Sequence, residues 1–240
     1  MQIELVVSPV LYGCRSLQAD HTTVAVDILR ASSSICAAFS AGATEIVPLN
    51  TTEHLDVYGH QGFVIAAERN GKKLSGATCG NSPTEYQQLN LDGKRLAYST
   101  TNGTVAILTA AKSQLLLVGA FANISALSSC IVKRGTQRLV VLCSGWKGDM
   151  SIEDTLFGGA LIEKILQLDS HVELVNDAAM MASDLWNSAK DDLYAYCSKA
   201  THVHRLQRLD YDRDIRWALT PDTCPVLPYF DQDTESLKLI

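Results

Sequence analysis

A chain of 240 residues with 47% hydrophobic content is long enough to bury the core of one large α/β domain or two small ones without a disulfide or metal staple. Its net charge of -6, from 20 Lys and Arg against 26 Asp and Glu, contains no basic block, which excludes nucleic acid as the main partner but leaves room for a small anion at a local site. The 7 cysteines form no C-x-x-C pair and are odd in number, which argues against structural zinc, thioredoxin-type chemistry and a secreted disulfide framework.

In chain order, residues 1–20 are interrupted by Glu4 and Asp20 and lack a signal-peptide core, and no uncharged apolar stretch of spanning length follows. The expectation is a cytoplasmic protein with no membrane partner. From Thr22 onward, short β-branched runs alternate with helical patterns. "TTVAVDI", "TEIVPL", "GFVIAAE", "KRLAYST", "QLLLVGA" and "QRLVVLCS" read as strands. "SSSICAAFSAG", "TTEHLDVYG", "SPTEYQQLN", "NGTVAILTAAK", "NISALSSCIVKR" and "SIEDTLFGGALIEKILQL" read as helices between or after them. Such alternation predicts an α/β fold with a largely parallel or mixed sheet covered on both faces. Ser82, followed by Pro83 and Glu85, and Ser151, followed by Asp154, carry the spacing of helix N-caps. Beyond residue 171 the pattern gives two or three short helices up to about Leu209, a strand-like "DIRWAL" and a proline-broken "CPVLPYF". No repeat or low-complexity linker interrupts the chain, so residues 1–240 are expected to form a single unit.

Ligands of open α/β sheets gather at the carboxyl ends of the strands. There the sequence places Asp27, Arg30 and Ser32 after the first strand of the series, and Glu68 and Arg69 after the third. Ser99-Thr100-Thr101-Asn102-Gly103-Thr104 follow "LAY", Ser144, Lys147, Glu153 and Asp154 follow "VVLC", and Asn81 and Ser82 begin another helix. Each has an ordinary structural alternative. Asp27 and Arg30 can pair with each other, Glu68 can cap a loop, and Glu153 and Asp154 sit where a helix dipole favours acids. In "STTNGT", Thr101 can cap a helix and Gly103 ease a bend, or the stretch can cradle a phosphate. The combination favours chemistry, because four carboxylates at one edge repel one another without a counter-ion, and hard oxygen ligands suit Mg²⁺.

The stretches "VAVDILRASSS", "AAERNGKKLSG", "GNSPTEY", "STTNGT", "LCSGWKGDMSIEDTLFGGALI" and "HRLQRLDYDRDI" resemble, in order and spacing, the 2-phosphosulfolactate phosphatase (ComB-like) family. The resemblance runs from about residue 20 to about residue 228. It implies a three-layer α/β/α fold and Mg²⁺-dependent hydrolysis of a phosphate ester on a short sulfonated or carboxylated acid, in the route to coenzyme M. This chain departs from the family pattern at Ser144, where alanine is common, at Trp146 and Lys147, and at Asp210, where glycine is usual.

Among phosphatase schemes, no cysteine is followed by five residues and an arginine. Asp27 lacks a second Asp two residues on, which weakens an aspartyl-phosphate scheme without excluding Asp27 as nucleophile, and no histidine lies in an R-H-G motif. Metal-assisted attack by water remains. Asp27, Arg30 and Glu68 are the candidate catalytic residues, with Asp27, Glu68, Glu153 and Asp154 the candidate Mg²⁺ ligands. Ser32, Asn81, Ser82, Thr100, Thr101, Asn102, Gly103 and Thr104 would hold phosphate. Arg69 and Lys147 would meet the carboxylate or sulfonate, near Ser144. Cys143 reads as a buried strand end and His202 and His204 as surface or capping groups, with no general acid evident. A non-catalytic anion-binding or regulatory protein on this scaffold, and a phosphatase for another small phosphoester, are the alternatives. A homo-oligomer is compatible with either.

Overall fold

The computed structural model describes residues 1–14 and 20–240. Among them the chain runs β1 (Gln2–Val6), α1 (Pro9–Gly13), β2 (Thr22–Val26), α2 (Ala31–Ser40), β3 (Glu45–Pro48), α3 (Leu55–His60), β4 (Val64–Arg69) and β5 (Lys72–Lys73). It continues through α4 (Pro83–Tyr86), β6 (Arg95–Ser99), α5 (Gly103–Thr109), β7 (Leu115–Gly119), α6 (Ile124–Lys133), β8 (Arg138–Cys143), α7 (Ile152–Leu168) and β9 (Glu173–Leu174). The C-terminal part holds α8 (Asp177–Ala189), α9 (Leu193–Cys197), α10 (Thr201–Gln207), α11 (Asp212–Ala218), β10 (Pro228–Asp231) and β11 (Ser236–Leu239).

The strands are ordered β5-β4-β6-β3-β11-β10-β7-β2-β8-β1-β9. Two parallel blocks, β4-β6-β3 and β7-β2-β8-β1-β9, flank the antiparallel hairpin β10–β11. That hairpin pairs antiparallel with each block, at Tyr229↔Leu117 and at Leu237↔Ile46. The sheet is therefore mixed. Period-2 alternation builds three layers from it. Val24 and Val26 of β2 and Leu139, Val141 and Cys143 of β8 pack with Ile131, Leu156, Phe157 and Ala182 of the helices on one face. Ala25, Val140 and Leu142 pack with Ile35, Ala38 and Ile107 on the other. This is an α/β/α arrangement. No helix among the described residues is long and apolar enough to cross a membrane.

The structure departs from the sequence reading at several elements. "DIRWAL" is helical, within α11, because Ile215, Ala218 and Leu219 supply a buried face at helical spacing and Arg216 pairs with Asp212 one turn back, at 2.8 Å. β1 and β11 belong to the sheet and are missed in sequence, although Ile3 and Leu5 alternate in the core. Ser82 caps α4 by accepting from the Glu85 N–H at 3.1 Å, as expected. Ser151 makes no capping bond, and the Asp154 carboxylate accepts from the Ile28 N–H instead of turning back to the cap. Thr101 does not cap α5 either. Thr100 does, accepting from the Thr104 N–H at 3.2 Å, while Thr104 Oγ1 donates to the Thr100 carbonyl at 3.0 Å. Asp210 adopts φ 62, the left-handed region that glycine enters freely.

Candidate active site

The carboxyl ends of the two parallel blocks meet over a cleft of about 200 Å³. The end of β2 contributes Asp27, Leu29 and Arg30, and the end of β4 contributes Glu68, Asn70 and Gly71. Asn81 precedes α4, and Thr101 and Asn102 follow β6. Trp146 and Lys147 follow β8, and α10 lays His202, Arg205 and Leu206 along the remaining wall. Such a crevice between strand blocks is where α/β sheets bind ligands.

Asp27 is buried, and its Oδ1 accepts from the Ala31 N–H at the start of α2, at 3.2 Å. Burial pushes its carboxyl up to about 6, with the neighbouring Glu68 and Glu153 charges adding and the Ala31 N–H and His202 opposing. Its Oδ2 has no hydrogen bond among the described residues and faces Gly103, where a Cβ would stand 2.8 Å from it and 2.3 Å from the Ala31 Cβ. The glycine is thus required by the packing of α5 against the start of α2.

Glu68 is held on both oxygens. Oε2 accepts from the Gly71 N–H at 2.6 Å, and Oε1 accepts from the N–H and hydroxyl of Thr101 at 2.7 and 2.8 Å. It ties the β4 end to the β6 end. Asp154 does the same between β2 and β8, accepting from the Ile28 N–H at 2.8 Å, the Gly145 N–H at 3.1 Å and the Ser144 hydroxyl at 3.3 Å. Burial, then Asp27 and Glu153, raise the Asp154 carboxyl well above the usual range. Glu153 Oε1 lies 2.9 Å from His202 Nδ1, and its Oε2 is buried with no hydrogen-bond partner. The His202 ring is stacked on Trp146, 5.3 Å between centres.

Arg30 does not pair with Asp27. Its Nη1 donates to Asp214 Oδ2 at 2.7 Å, its Nη2 to the Gly71 carbonyl at 3.0 Å, and its guanidinium carbon lies 3.7 Å from the centre of the Tyr211 ring. Asp214, also buried, accepts at Oδ1 from the hydroxyls of Ser82 (2.8 Å) and Thr84 (2.5 Å). Asp214 and Tyr211 are site residues that sequence reasoning missed. Their signal was the helical spacing in "DYDRDIRWAL", masked by its apparent alternation.

Of the remaining expected residues, Asn81 lines the cleft and accepts from the Tyr98 hydroxyl at 2.5 Å. Ser32 lies behind Asp27, its hydroxyl donating to the Asp27 carbonyl at 2.8 Å. Thr100, Gly103 and Thr104 are packed beneath the cleft wall. Arg69 turns away from it, donating to the carbonyls of Glu68 (2.6 Å) and Asn50 (3.4 Å) and to the Ser99 hydroxyl (2.9 Å). Cys143 is buried, which pushes its thiol well up, with Asp154 and Glu153 adding. No group of three or more His, Cys, Asp or Glu side chains among the described residues is arranged to hold a metal ion by itself.

The match to known proteins decides the family. The model of the 2-phosphosulpholactate phosphatase family matches residues 13–233. The chain belongs to that family. It is 32% identical to a protein of Caldanaerobacter subterraneus subsp. tengcongensis named "Probable 2-phosphosulfolactate phosphatase", over 87% of each chain. Relatives with the same name from Parasynechococcus marenigrum and from Synechococcus sp. (strain RCC307) are 34% and 35% identical, over 85% and 87% of this chain and 87% and 89% of theirs. Membership makes the chain a phosphoric monoester hydrolase.

Proposed function

We propose that this chain hydrolyses 2-phosphosulfolactate, or a closely related phosphorylated short hydroxy acid, to the free acid and inorganic phosphate, with Mg²⁺ as cofactor. The observation that carries this reading is Asp27, a buried carboxylate with an oxygen free of hydrogen bonds, beside Arg30 in a small polar cleft at the strand ends. The family match supports phosphoester hydrolysis there.

The donor chemistry fits Mg²⁺, which takes one or two carboxylates and fills the rest of its shell with water and substrate phosphate. Asp27 Oδ2 and the unpartnered Glu153 Oε2 are the carboxylate oxygens that would hold it. Glu68 and Asp154, whose oxygens already accept from several donors, would position the loops. When bound, the ion polarises the phosphoryl group and acidifies water for attack.

The protein's own part is to bind and orient. Arg30 keeps further N–H donors beyond its bonds to Asp214 and Gly71, and with Asn81 and Asn102 it would take the phosphoryl oxygens. His202 has Nδ1 engaged by Glu153, which leaves Nε2 as the nitrogen to hold a proton for the departing alkoxide.

Release of phosphate from a panel of phosphorylated hydroxy acids, with Mg²⁺ and after exhaustive chelation, tests the reading. Turnover of short phosphorylated acids that disappears on chelation is expected. No turnover of any member would favour the non-catalytic anion-binding alternative, and full turnover without metal would remove the cofactor.

A further inference from the structure

Tyr86 and Tyr98 are the bulkiest fully enclosed side chains among the described residues, and each carries a hydroxyl that Phe121 and Phe157, equally enclosed, do without. A phenol in a core costs stability unless its hydroxyl finds a partner. Here both hydroxyls go to one short segment, Gly80-Asn81-Ser82, which leads into α4. Tyr86 donates to the Gly80 carbonyl at 2.9 Å, and Tyr98 to Asn81 Oδ1 at 2.5 Å.

The elements around them fix this arrangement. Tyr98 lies on β6, the middle strand of the β4-β6-β3 block, in register with Ala66 on one side and Pro48 on the other. Alternation along β6 sends Leu96 and Tyr98 to the face that holds Tyr86, and Ala97 to the opposite face. The chain is held on both sides of Asn81, since the Gly80 N–H donates to Glu85 Oε2 at 2.9 Å and the Ser82 hydroxyl to Asp214 Oδ1 at 2.8 Å. What remains free is the rotation of the Asn81 carboxamide, and the Tyr98 hydroxyl stops it. Burial, then the Asp27 and Glu68 charges, hold that hydroxyl well above its ordinary value, with Ser34 and Arg30 opposing, so it stays protonated and remains a donor. A donor at Oδ1 turns the amide nitrogen the other way. Asn81 Nδ2 makes no hydrogen bond among the described residues and is open to the cleft that Asn81 lines.

We propose that Tyr98 is a positioning residue, whose hydroxyl occupies Asn81 Oδ1 and so aims the Asn81 N–H donors at the phosphoryl group while keeping the carbonyl oxygen away from it. This rests on the phosphatase reading of the same cleft. A carboxamide free to flip would turn a lone pair toward the phosphoryl oxygens and oppose the charge that grows there in the transition state. A donor fixed in advance needs no reorientation during the reaction.

A double-mutant cycle on the hydrolysis of 2-phosphosulfolactate in Mg²⁺ separates positioning from packing. Asn81→Ala is expected to lower kcat/KM about a hundredfold, the usual cost of one lost transition-state donor, and Tyr98→Phe about tenfold. In the Asn81→Ala background Tyr98→Phe should change kcat/KM less than about twofold, because no carboxamide is left to hold. The same loss in both backgrounds, or none in either, would overturn the proposal. Calorimetric titration with inorganic phosphate repeats the cycle without turnover: weaker binding to Tyr98→Phe that vanishes in the Asn81→Ala background is expected, and equal affinity of the unchanged chain and Tyr98→Phe would overturn it. Should Tyr98→Phe fail to fold, Asn81→Asp decides, since it keeps an acceptor for Tyr98 and places an oxygen where the nitrogen stood. Its phosphate affinity should fall about tenfold or more, and unchanged affinity would overturn the proposal. Coupling in phosphate binding, in a protein that releases phosphate from no ester, would uphold the positioning and remove the phosphatase reading.

Discussion

At the scale of single residues, some of the buried charges at the site are answered by a named partner and others, Asp27 Oδ2 and Glu153 Oε2, are not. Arg30 has Asp214, so Asp214→Asn should leave a buried guanidinium uncompensated, a change that costs about 3–5 kcal/mol in such pairs. Chemical denaturation measures it, and a loss below about 1 kcal/mol would show that Arg30 finds another partner or water. Cys143 has no such role: buried, with its thiol pushed up by burial, it is a poor nucleophile. Cys143→Ser should therefore keep most of the hydrolytic rate. A drop of several orders of magnitude, with a trapped phosphothiol, would restore a cysteine mechanism. Thr101 belongs to the same scale, since both its N–H and its hydroxyl point at Glu68 Oε1. Thr101→Ala removes one of two donors to that atom and is expected to cost about 1 kcal/mol of stability.

At the scale of elements, the tightest fit is α5 against the start of α2. A Cβ on Gly103 would stand 2.3 Å from the Ala31 Cβ, so Gly103→Ala must push the two helices apart. Overpacking of this kind costs about 1–3 kcal/mol, and because Asp27 Oδ2 lies 2.8 Å from the same point, activity should fall with it. Thermal unfolding and phosphate release measured on one preparation check this; a variant that keeps both would contradict the packing. The same junction shows what the sequence could tell. Six of the seven strands between Thr22 and Ser144 and the helices between them were legible, because their apolar periods are clean; the two-residue β5, Lys72–Lys73, carries no such period. α11 was not, since Ile215, Trp217 and Leu219 alternate in sequence while the buried face follows Ile215, Ala218 and Leu219. Asp27, Arg30, Glu68 and Asn81 could be placed at the cleft because each follows a strand or precedes a helix. The engagement of Arg69 by main-chain carbonyls, and the approach of His202, Arg205 and Asp214 from the C-terminal helices, depend on tertiary packing that no local pattern encodes.

At the scale of the whole molecule, the buried carboxylates Asp27, Glu68, Glu153, Asp154 and Asp214 gather around the strand-end cleft, and the folded state gains by neutralising them. The Asp27 carboxyl, raised by burial from 3.8 to about 6, contributes stability that is full below 3.8 and lost as pH rises through about 6. A divalent cation at the same carboxylate favours the ionised form. Mg²⁺ should therefore raise the melting temperature more at pH 7.5 than at pH 5. Equal shifts at both values would place the ion away from Asp27. If Asp27 is the working carboxylate of the phosphatase cleft, Asp27→Asn, which keeps the side chain's shape and removes its charge, removes the chemistry and spares the fold. Phosphate release from 2-phosphosulfolactate in Mg²⁺, with folding checked by circular dichroism, is predicted to be abolished in this variant while the fold is retained. A near-normal rate would show that Asp27 takes no part in hydrolysis.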